Sequence, residues 1–283
     1  MITAKTRLLG VIGHPIAHSQ SPKMHNASFA ANGLDYAYLA LDVAPEDLRK
    51  AVAGLVALGF EGFNVTMPHK EKIIPLLDTL DETAEISGAV NTVEIRDGTL
   101  RGVNTDGSGF MEACAEAGVD FEDKRVLLLG AGGAGAAVAA AVLENGAREL
   151  IIANRTVSRA RSLKAKLESS LEKPAVGGSI SVRPLEDLTG LVAASEAIVN
   201  TTYLGMKQGD PSPVPLAELH PDKAVCDVVY RREGETELLN RARGVGARVV
   251  SGGRMLLYQG VQAQRIWTGE EPNVEAMSDA IGG

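Results

Sequence analysis

Short apolar runs alternate with stretches of helical spacing along the first third of the chain, a pattern typical of α/β proteins. The apolar runs predict strands over 7–12, 36–43 and 62–66. Between and after them, the spacing predicts helices over 22–32, 45–59 and around 73–77. Ser21 is the expected cap of the first helix, with Pro22 at its first position. Because helices alternate with strands, we expect a mainly parallel sheet.

The alternation changes at two short β-rich runs, 92–96 and 99–103, which are separated by Asp97-Gly98. An Asp-Gly pair between such runs predicts a β-hairpin. Asn104-Thr105-Asp106-Gly107 follows and leads into a helix that ends near Ala117. We interpret this helix as the connection to a second domain.

The second half of the chain repeats strands and helices more regularly. Its predicted strands are 126–129, 149–153, 181–182, 197–199, 224–229 and 248–250. Its predicted helices are 136–144, 157–171 and 236–243. A final helix from Met255 to Trp267 is expected to return to the first domain, and the Pro- and Gly-rich loop 173–179 receives no role.

A glycine-rich turn joins the first strand of this second half to its first helix. The strand 126–129 is followed by Gly130, Gly132 and Gly135, spaced as G-x-G-x-x-G, and then by small residues of helical character. This order of strand, turn and helix is the context of the dinucleotide-binding fingerprint. Gly130 would allow the tight turn, Gly132 the approach of a pyrophosphate, and Gly135 close packing of the helix. The alternative is an ordinary glycine-rich turn of an α/β domain.

The residues after the second strand indicate which dinucleotide would bind. NAD-binding domains carry an acidic residue there for the ribose 2′-hydroxyl, whereas this chain has Asn154-Arg155-Thr156. Arg155 offers a planar set of donors suited to a phosphate, and Arg159 would share its helix face if the helix starts early enough. The sequence therefore predicts NADP, with solvation of a helix start as the alternative role for both arginines.

These patterns predict an α/β protein of two domains. Residues 1–106 plus 254–283 form an N-terminal β-α-β domain with a mainly parallel sheet, to which the final helix returns, and 107–253 form a Rossmann-type NADP domain.

Composition narrows the functional classes further. The chain has 283 residues, 45% of them apolar, and a net charge of −8, which argues against non-specific binding of nucleic acid. No apolar run reaches membrane-spanning length, and the N-terminus lacks a signal-peptide pattern. Cys114 and Cys226 are too few for a disulfide framework or a zinc cluster, so we expect both to be buried in a cytoplasmic protein with no metal site.

Candidates for proton transfer are several histidines and a lysine. His14 and His18 are four residues apart, but Pro15 prevents a helix and no third ligand lies nearby, so a metal site is not expected. We interpret His25 and His69 as structural. Lys70 follows a strand end, where ligands of α/β sheets bind, but by sequence alone a lysine in solvent is the favoured interpretation. Asp106 likewise could act in the site or cap the helix after it.

Several separated motifs together resemble the shikimate dehydrogenase family. They cover nearly the whole chain in the order of that family: Gly13-x-Pro15 with Ser19-Gln20-Ser21-Pro22, Asn64-Val65-Thr66-x-Pro68-x-Lys70, Gly88-Ala89-Val90-Asn91-Thr92, Gly102-x-Asn104-Thr105-Asp106-Gly107, Gly130-Ala131-Gly132-Gly133-Ala134, Asn154-Arg155-Thr156, Asn200-x-Thr202-x-x-Gly205-Met206 and Met255-Leu256-x-x-Gln259.

The resemblance implies NADP-dependent interconversion of 3-dehydroshikimate and shikimate in aromatic amino-acid biosynthesis. It makes Lys70 and Asp106 the catalytic pair and makes residues 1–106 with 254–283 the substrate-binding and catalytic domain. The implied substrate residues are Ser19, Ser21, Asn64, Thr66, Asn91, Tyr230 and Gln259. The implied cofactor residues are Gly130, Ala131, Gly132, Gly133, Ala134, Gly135, Asn154, Arg155, Thr156, Arg159, Val228 and Gly252. A homodimer is among the expected assemblies.

Two positions depart from the family pattern, Tyr203 where a serine is usual and Arg254 where a small residue is common. Two other functions stay open at this point. One is a quinate/shikimate dehydrogenase with a preference for NAD, against which Arg155 argues. The other is a non-catalytic NADP-sensing protein, which could dispense with Lys70 and Asp106.

Overall fold

A computed structural model describes residues 2–170, 178–186, 188–231 and 234–282. The chain divides into two compact units, a first unit of Met1–Thr105 with Gln259–Gly283 and a second unit of Asp106–Tyr258. The sequence placed the borders at 106/107 and 253/254, and the roles it gave to the two parts remain predictions. Residues 171–177, with most of the 173–179 loop and the expected end of the helix 157–171, lie outside the described residues.

The first unit contains a six-stranded sheet in the order β2-β1-β3-β5-β6-β4. Its strands are β1 (Arg7–Gly13), β2 (Tyr36–Asp42), β3 (Phe60–Val65), β4 (Thr79–Leu80), β5 (Thr92–Arg96) and β6 (Thr99–Val103). Its helices are α1 (Ser21–Ala31), α2 (Leu48–Ala57), α3 (Glu82–Ser87) and α10 (Val274–Ala280), together with the C-terminal part of α9 (Gly252–Thr268). Three strand pairs are parallel and two are antiparallel, so the sheet is mainly parallel as predicted.

The predicted hairpin is confirmed between β5 and β6. Asp97 and Gly98 both have positive φ, 50° and 78°, as a two-residue turn of this kind requires. The hairpin places Thr92 beside Val103, and β3 pairs Asn64 with Thr92 from the other side. Polar residues from distant parts of the sequence therefore meet in the middle of this sheet.

The second unit contains a six-stranded parallel sheet in the order β12-β11-β10-β7-β8-β9. Its strands are β7 (Arg125–Leu129), β8 (Glu149–Ala153), β9 (Ser179–Arg183), β10 (Ala197–Asn200), β11 (Ala224–Asp227) and β12 (Arg248–Ser251). Its helices are α4 (Asp106–Glu116), α5 (Gly133–Glu144), α6 (Val157–Ser170), α7 (Thr189–Ala194) and α8 (Glu237–Gly244), with the start of α9. Counted from β7, the strand order is 3-2-1-4-5-6, which is the Rossmann order.

Apolar residues at sheet positions form the core of each unit. In the first unit Trp267 closes one face, and its ring nitrogen donates to Val93 O at 2.9 Å. Gly62 admits that ring, because a Cβ there would lie 2.2 Å from Trp267 Nε1. In the second unit Leu127, Ile198 and Val225 on three adjacent strands are fully buried. The predicted α/β class is confirmed.

Several element predictions are wrong in detail. No α-helix forms around 73–77; a 3-10 turn covers Ile74–Leu76, because Pro75 cannot continue the α-helical hydrogen-bond ladder. Ser21 is the first residue of α1 and not its cap, since Gln20 precedes it. Strand β11 ends at Asp227, and α9 starts at Gly252, three residues before the predicted start at Met255. The short helices α3, α7 and α10 were not predicted, because a helix of six or seven residues is too short to show a clear hydrophobic period.

Candidate active site

The glycine turn after β7 has the geometry that its spacing predicts. Gly130 has φ of +109°, and a Cβ there would lie 2.6 Å from Thr201 Oγ1. A Cβ at Gly135 would lie 2.7 Å from the same oxygen and 3.1 Å from Gly130 O. Thr201 itself is held by its hydroxyl, which donates to Leu129 O at 2.7 Å. The turn, the helix start and the loop after β10 are thus packed too closely for side chains.

Gly132 faces open space instead: apart from its neighbours in sequence, no described residue has an atom within 4 Å of a Cβ built on it. It precedes the first turn of α5, which starts at Gly133 and includes Ala134. Ala131, beside it, is only partly exposed. Free N–H groups of the first helical turn bind phosphate well. The residues present therefore fit a dinucleotide pyrophosphate.

The turn after β8 carries the predicted phosphate-binding residues. Asn154 Nδ2 donates to Thr156 O at 2.8 Å, and Arg159 N–H donates to the same carbonyl at 3.0 Å. The side chains of Arg155 and Arg159 are exposed. Since α6 begins at Val157, Arg155 precedes the helix, so the early helix start that a shared face with Arg159 required is not present.

A third arginine at this turn was missed in the sequence. Arg183 ends β9, and its carbonyl accepts the N–H of Asn154 at 3.2 Å. Its exposed side chain therefore starts beside the predicted 2′-phosphate residues. The signal for Arg183 in the sequence is a basic residue at the end of β9, the third strand of the second unit.

Buried polar groups connect the loops after β10 and β11. Asp227 Oδ1 accepts from Asn200 Nδ2 at 2.9 Å and from Val229 N–H at 3.1 Å. Asp227 Oδ2 accepts from Thr236 Oγ1 at 2.7 Å. Burial raises the pKa of Asp227, and these three donors oppose that rise. Asp227 was not predicted as a site residue, although its partner Asn200 belongs to one of the family motifs.

The predicted nicotinamide-side positions lie close together in the second unit. A Cβ at Gly252 would lie 2.4 Å from Val228 O, so α9 starts against the backbone of the loop after β11. Tyr230, further along that loop, is partly exposed. Next to Gly252 in sequence, Arg254 binds Glu116 with two guanidinium nitrogens and lies over the ring of Tyr258. The departure at Arg254 thus has a structural explanation, as a link between α9 and α4.

Predicted substrate residues of the first unit follow the ends of β1 and β3. Thr66 N–H donates to Ile12 O at 2.9 Å, which joins these two strand ends. Lys70 follows shortly after, and its carbonyl accepts from Val90 N–H at 2.8 Å. Ser19 Oγ accepts from Ser21 N–H at 3.3 Å at the start of α1. These contacts fix the backbone that carries Thr66, Lys70 and both serines.

Asn91 is the centre of a buried network in the same unit. Its Oδ1 accepts from Thr105 N–H at 2.8 Å and from Thr92 Oγ1 at 3.0 Å. Its Nδ2 donates to Thr105 Oγ1 at 2.9 Å and to Gln259 Oε1 at 3.4 Å. Asn64 joins this network through Nδ2, which donates to Thr92 Oγ1 at 3.0 Å. The structure therefore brings three predicted substrate residues together, Asn64, Asn91 and Gln259.

The histidines have the structural roles expected of them. His25 is fully buried, its Nδ1 lies 3.3 Å from Gln264 Oε1, and burial lowers its pKa to about 4. His69 is also fully buried, with Nε2 at 2.7 Å from Val43 O. His14 pairs with Asp42 at 2.8 Å and His18 is exposed. Among the described residues no group of histidine, cysteine or carboxylate side chains could hold a metal ion.

Lys70 lies in the first unit, and Asp106 is the buried first residue of α4 in the second. Asp106 is therefore not a cap outside the helix, and its pairing with Lys70 remains a prediction. Cys114 and Cys226 are buried free thiols, as predicted. In the part of the chain that the structure describes, no helix is long and apolar enough to cross a membrane.

These features define a class of protein, an α/β protein whose second unit is a Rossmann fold with a dinucleotide-type glycine turn. Family models match three segments: "Shikimate dehydrogenase substrate binding domain" over residues 11–93, "Shikimate / quinate 5-dehydrogenase" over 112–205 and "Shikimate 5'-dehydrogenase C-terminal domain" over 252–281. The chain belongs to the shikimate dehydrogenase family, which confirms the resemblance seen in its motifs.

Individual relatives agree with this assignment. A shikimate dehydrogenase (NADP(+)) of Rubrobacter xylanophilus is 55% identical over 283 residues, which is 100% of this chain and 98% of the relative. A Thermus thermophilus shikimate 5-dehydrogenase, solved with NADP(H) and shikimate, is 36% identical and has a TM-score of 0.86, covering 98% of each chain. A quinate dehydrogenase of Corynebacterium glutamicum, solved with NAD, is 35% identical with a TM-score of 0.89, covering 97% of this chain and 98% of that one.

Proposed function

We propose that the protein is an NADP-dependent shikimate dehydrogenase, which reversibly reduces 3-dehydroshikimate to shikimate in aromatic amino-acid biosynthesis. The observation that carries this proposal is the 55% identity with the NADP(+)-dependent Rubrobacter enzyme over the whole chain. The buried amide and hydroxyl network around Asn91 supports it, because a small hydroxylated acid needs many such partners.

The second unit holds NADP in this proposal. Gly130, Gly132 and Gly135 shape the turn for the pyrophosphate, and the N–H groups of Gly133 and Ala134 face it from the start of α5. Ala131 completes this turn. When bound, NADPH supplies the hydride. Asn154, Arg155, Thr156 and Arg159 bind the 2′-phosphate, because arginine matches its charge and planar geometry. Val228 and Gly252 bound the nicotinamide side.

Lys70 and Asp106 perform the proton transfer in this proposal. Reduction of the keto group places negative charge on its oxygen, which the Lys70 ammonium stabilises while Nζ donates a proton. In the oxidative direction, neutral Lys70 Nζ accepts the hydroxyl proton. Asp106 orients Lys70 and hydrogen-bonds the substrate. General acid–base catalysis of this kind supplies about 10²- to 10⁴-fold in rate.

Substrate hydroxyls and carboxylate bind to neutral polar side chains. Ser19 and Ser21 at the start of α1, with Tyr230, bind the carboxylate side, and Asn64, Thr66, Asn91 and Gln259 bind the hydroxyls. This division follows from their chemistry: serine and tyrosine hydroxyls donate to a carboxylate, and amides both donate to and accept from hydroxyl groups.

The test is a spectrophotometric assay of NADP reduction with shikimate, with quinate and with neither. We expect NADPH to form with shikimate and far less with quinate. Formation of NADPH with neither would indicate a contaminant, and no formation with shikimate would contradict the proposal.

The second candidate is a quinate/shikimate dehydrogenase with a preference for NAD, which the likeness to the Corynebacterium enzyme favours. Arg155 in place of an acidic residue argues against it. Rates measured with NAD and with NADP, each at saturating shikimate and quinate, distinguish the two. A non-catalytic NADP sensor would bind NADP and show no turnover in either assay.

Assembly and location complete the proposal. The proposed location is the cytoplasm, where buried free cysteines such as Cys114 and Cys226 are usual, and the proposed assembly is a homodimer. Sedimentation of the purified protein would report a mass of twice 29.7 kDa if the dimer forms.

A further inference from the structure

Gly107 directly follows Asp106 in one of the family motifs, and its main chain lies against a neighbouring helix. It is the buried second residue of α4. A Cβ built on it would lie 2.9 Å from Ala137 O and 3.4 Å from Ala141 Cβ. Ala137 and Ala141 are one turn apart on α5, the helix that follows the glycine turn. The start of α4 therefore packs directly on α5 at Gly107.

This close approach leaves no room for a side chain at position 107. Ala137 O belongs to the main chain of a buried helix, so it cannot turn aside as a flexible side chain would. Ordinary contacts of a Cβ begin at 3.4 Å, so alanine at this position must move the start of α4 away from α5 by about 0.5 Å. Closely packed interiors pass such a displacement on to neighbouring residues.

The contact lies near the part of α5 that is expected to bind the cofactor. Helix α5 starts at Gly133, which lies about 6 Å along the helix from Ala137. The N–H groups of that first turn face the pyrophosphate in the proposed function. A displacement at Gly107 therefore changes the position of α4 relative to the bound dinucleotide.

Asp106 is held on its other side by the residue before it. Thr105 N–H donates to Asn91 Oδ1 at 2.8 Å, and Thr105 Oγ1 donates to Gln259 O at 3.0 Å. Asp106 itself is only 4% exposed. In the chain, Asp106 thus stands between a residue bound to the network around Asn91 and a residue packed on α5.

We propose that Gly107 is a positioning residue, whose missing side chain sets the place of Asp106 relative to the cofactor on α5. The inference rests on the proposed function, in which Asp106 orients Lys70 and hydrogen-bonds the substrate. Gly107 has no side chain that could touch substrate or cofactor. A Cβ at this position should therefore slow the chemical step much more than it weakens binding of NADP.

The test is Gly107→Ala, with NADPH formation from shikimate followed in a single turnover by stopped-flow absorbance, with enzyme in excess over NADP. We expect the single-turnover rate to fall about tenfold, because a misplacement of about 1 Å costs about 10²-fold and the expected shift is about half as large. The Kd for NADP should stay within about twofold of the parent value. An unchanged single-turnover rate in the folded variant would overturn the inference.

Gly54→Ala is the matched control. Gly54 also lies inside a helix, α2, but apart from that helix no described residue has an atom within 4 Å of a Cβ built on it. Alanine there improves helix propensity and makes no new contact, so the single-turnover rate should equal that of the parent protein.

Asp106→Asn separates the inference from the function. If Gly107 acts through Asp106, Gly107→Ala should change the rate by less than about twofold once Asp106 is replaced. A fall of about tenfold in both backgrounds would overturn the inference, because Gly107 would then act independently of Asp106. If Asp106→Asn alone leaves the rate unchanged, the role of Gly107 falls with that of Asp106, while NADPH formation with shikimate still supports the proposed function.

Ala141→Val applies the displacement from the other helix and covers the case in which Gly107→Ala does not fold. The side chain of Ala141 faces the position of the Cβ that Gly107 lacks, so two added methyl groups press on the same contact. We expect the single-turnover rate to fall about three- to tenfold, with the Kd for NADP unchanged. An unchanged rate in Ala141→Val that is folded by circular dichroism would contradict the proposed role of Gly107.

Discussion

Each unit buries a polar network in the middle of its sheet, and the two networks differ in charge. In the first unit the network around Asn64 and Asn91 consists of neutral amides and hydroxyls. In the second, it is organised around the carboxylate of Asp227, at a strand end paired with Asn200. Neutral groups donate and accept and can be shared with a polyol ligand, whereas a carboxylate only accepts and here is occupied by three donors. In the proposed function the first network binds substrate, whereas the second holds the loops after β10 and β11 in place.

The buried titratable groups differ in the same way. His25 in the first unit is a base whose pKa burial lowers to about 4. Asp227 in the second is an acid whose pKa burial raises. Both shifts favour the neutral form, but they make stability depend on pH in opposite directions. The predictions below test this contrast and the division of labour between the units.

The largest effect is expected at Lys70, the proton donor that the proposed mechanism takes from the first unit. Lys70→Ala should lower turnover by at least about 10²-fold, because the proton donor is lost, while NADP still binds to the second unit. Steady-state rates and NADP titration check this. The control is Lys72→Ala, an exposed lysine two residues further on. Unchanged turnover in Lys70→Ala would remove this residue from the mechanism.

The next effect concerns stability of the first unit in acid. The folded pKa of His25 is about 4 and the unfolded value is near 6.5, so the unfolded chain binds more protons between them. The free energy of unfolding should therefore fall as pH is lowered from 6.5 to 4, by on the order of 3 kcal/mol from this group.

Urea unfolding of the parent protein and of His25→Gln, compared at several pH values, measures this contribution. The difference in free energy of unfolding between the parent protein and His25→Gln should change with pH between 4 and 6.5. His220→Gln, which removes an exposed imidazole, should leave the pH dependence of the parent protein unchanged. Parallel pH curves for the parent protein and His25→Gln would contradict the assignment of a neutral buried His25.

A smaller effect is expected on the choice of cofactor by the second unit. Arg155→Ala should raise KM for NADP about tenfold and leave KM for NAD nearly unchanged, because only NADP carries the 2′-phosphate. Arg161→Ala, an exposed arginine within α6, is the control. Equal weakening of both cofactors would show that Arg155 does not recognise the phosphate.

The smallest effect is expected at Asp227. With a raised folded pKa, the native protein holds this proton longer, so the contribution of Asp227 to stability is present below about pH 4 and is lost as pH rises. Asp227→Asn should therefore remove the fall in the free energy of unfolding that Asp227 causes as pH rises. Asp222→Asn, which changes an exposed carboxyl just before β11, should not remove it. A difference curve that instead rises with pH would mean that the three donors outweigh burial.

Sequence patterns predicted most of the long helices and strands, because each has a clear hydrophobic period or is bounded by a turn-forming residue. Asp97-Gly98 identified a hairpin, and Gly130, Gly132 and Gly135 identified a turn whose geometry follows from glycine alone. The helix expected near residue 75 failed because apolar spacing outweighed Pro75 in the prediction. The family motifs identified the candidate site residues, since those residues stand at strand ends and helix starts.

Tyr38 and Asp227 escaped prediction for a different reason. A tyrosine in a strand is by default an apolar core residue, and an aspartate at a strand end is by default a turn residue. Each acquires its meaning from partners distant in sequence, such as Asn64 for Tyr38 and Asn200 for Asp227. Burial then makes these contacts matter, because an unpaired polar group away from water is costly.

The amino-acid sequence by itself determined the α/β class, the glycine turn, the presence of arginines at the turn after β8 and membership of the family, since all of these depend on local spacing. Only the tertiary structure decided which buried oxygen faces which donor. Strand order sets these pairings: β3 beside β5 joins Asn64 to Thr92, and β10 beside β11 joins Asn200 to Asp227. Hydrogen bonds act over about 3 Å, so they depend on this alignment, which distance along the chain does not record.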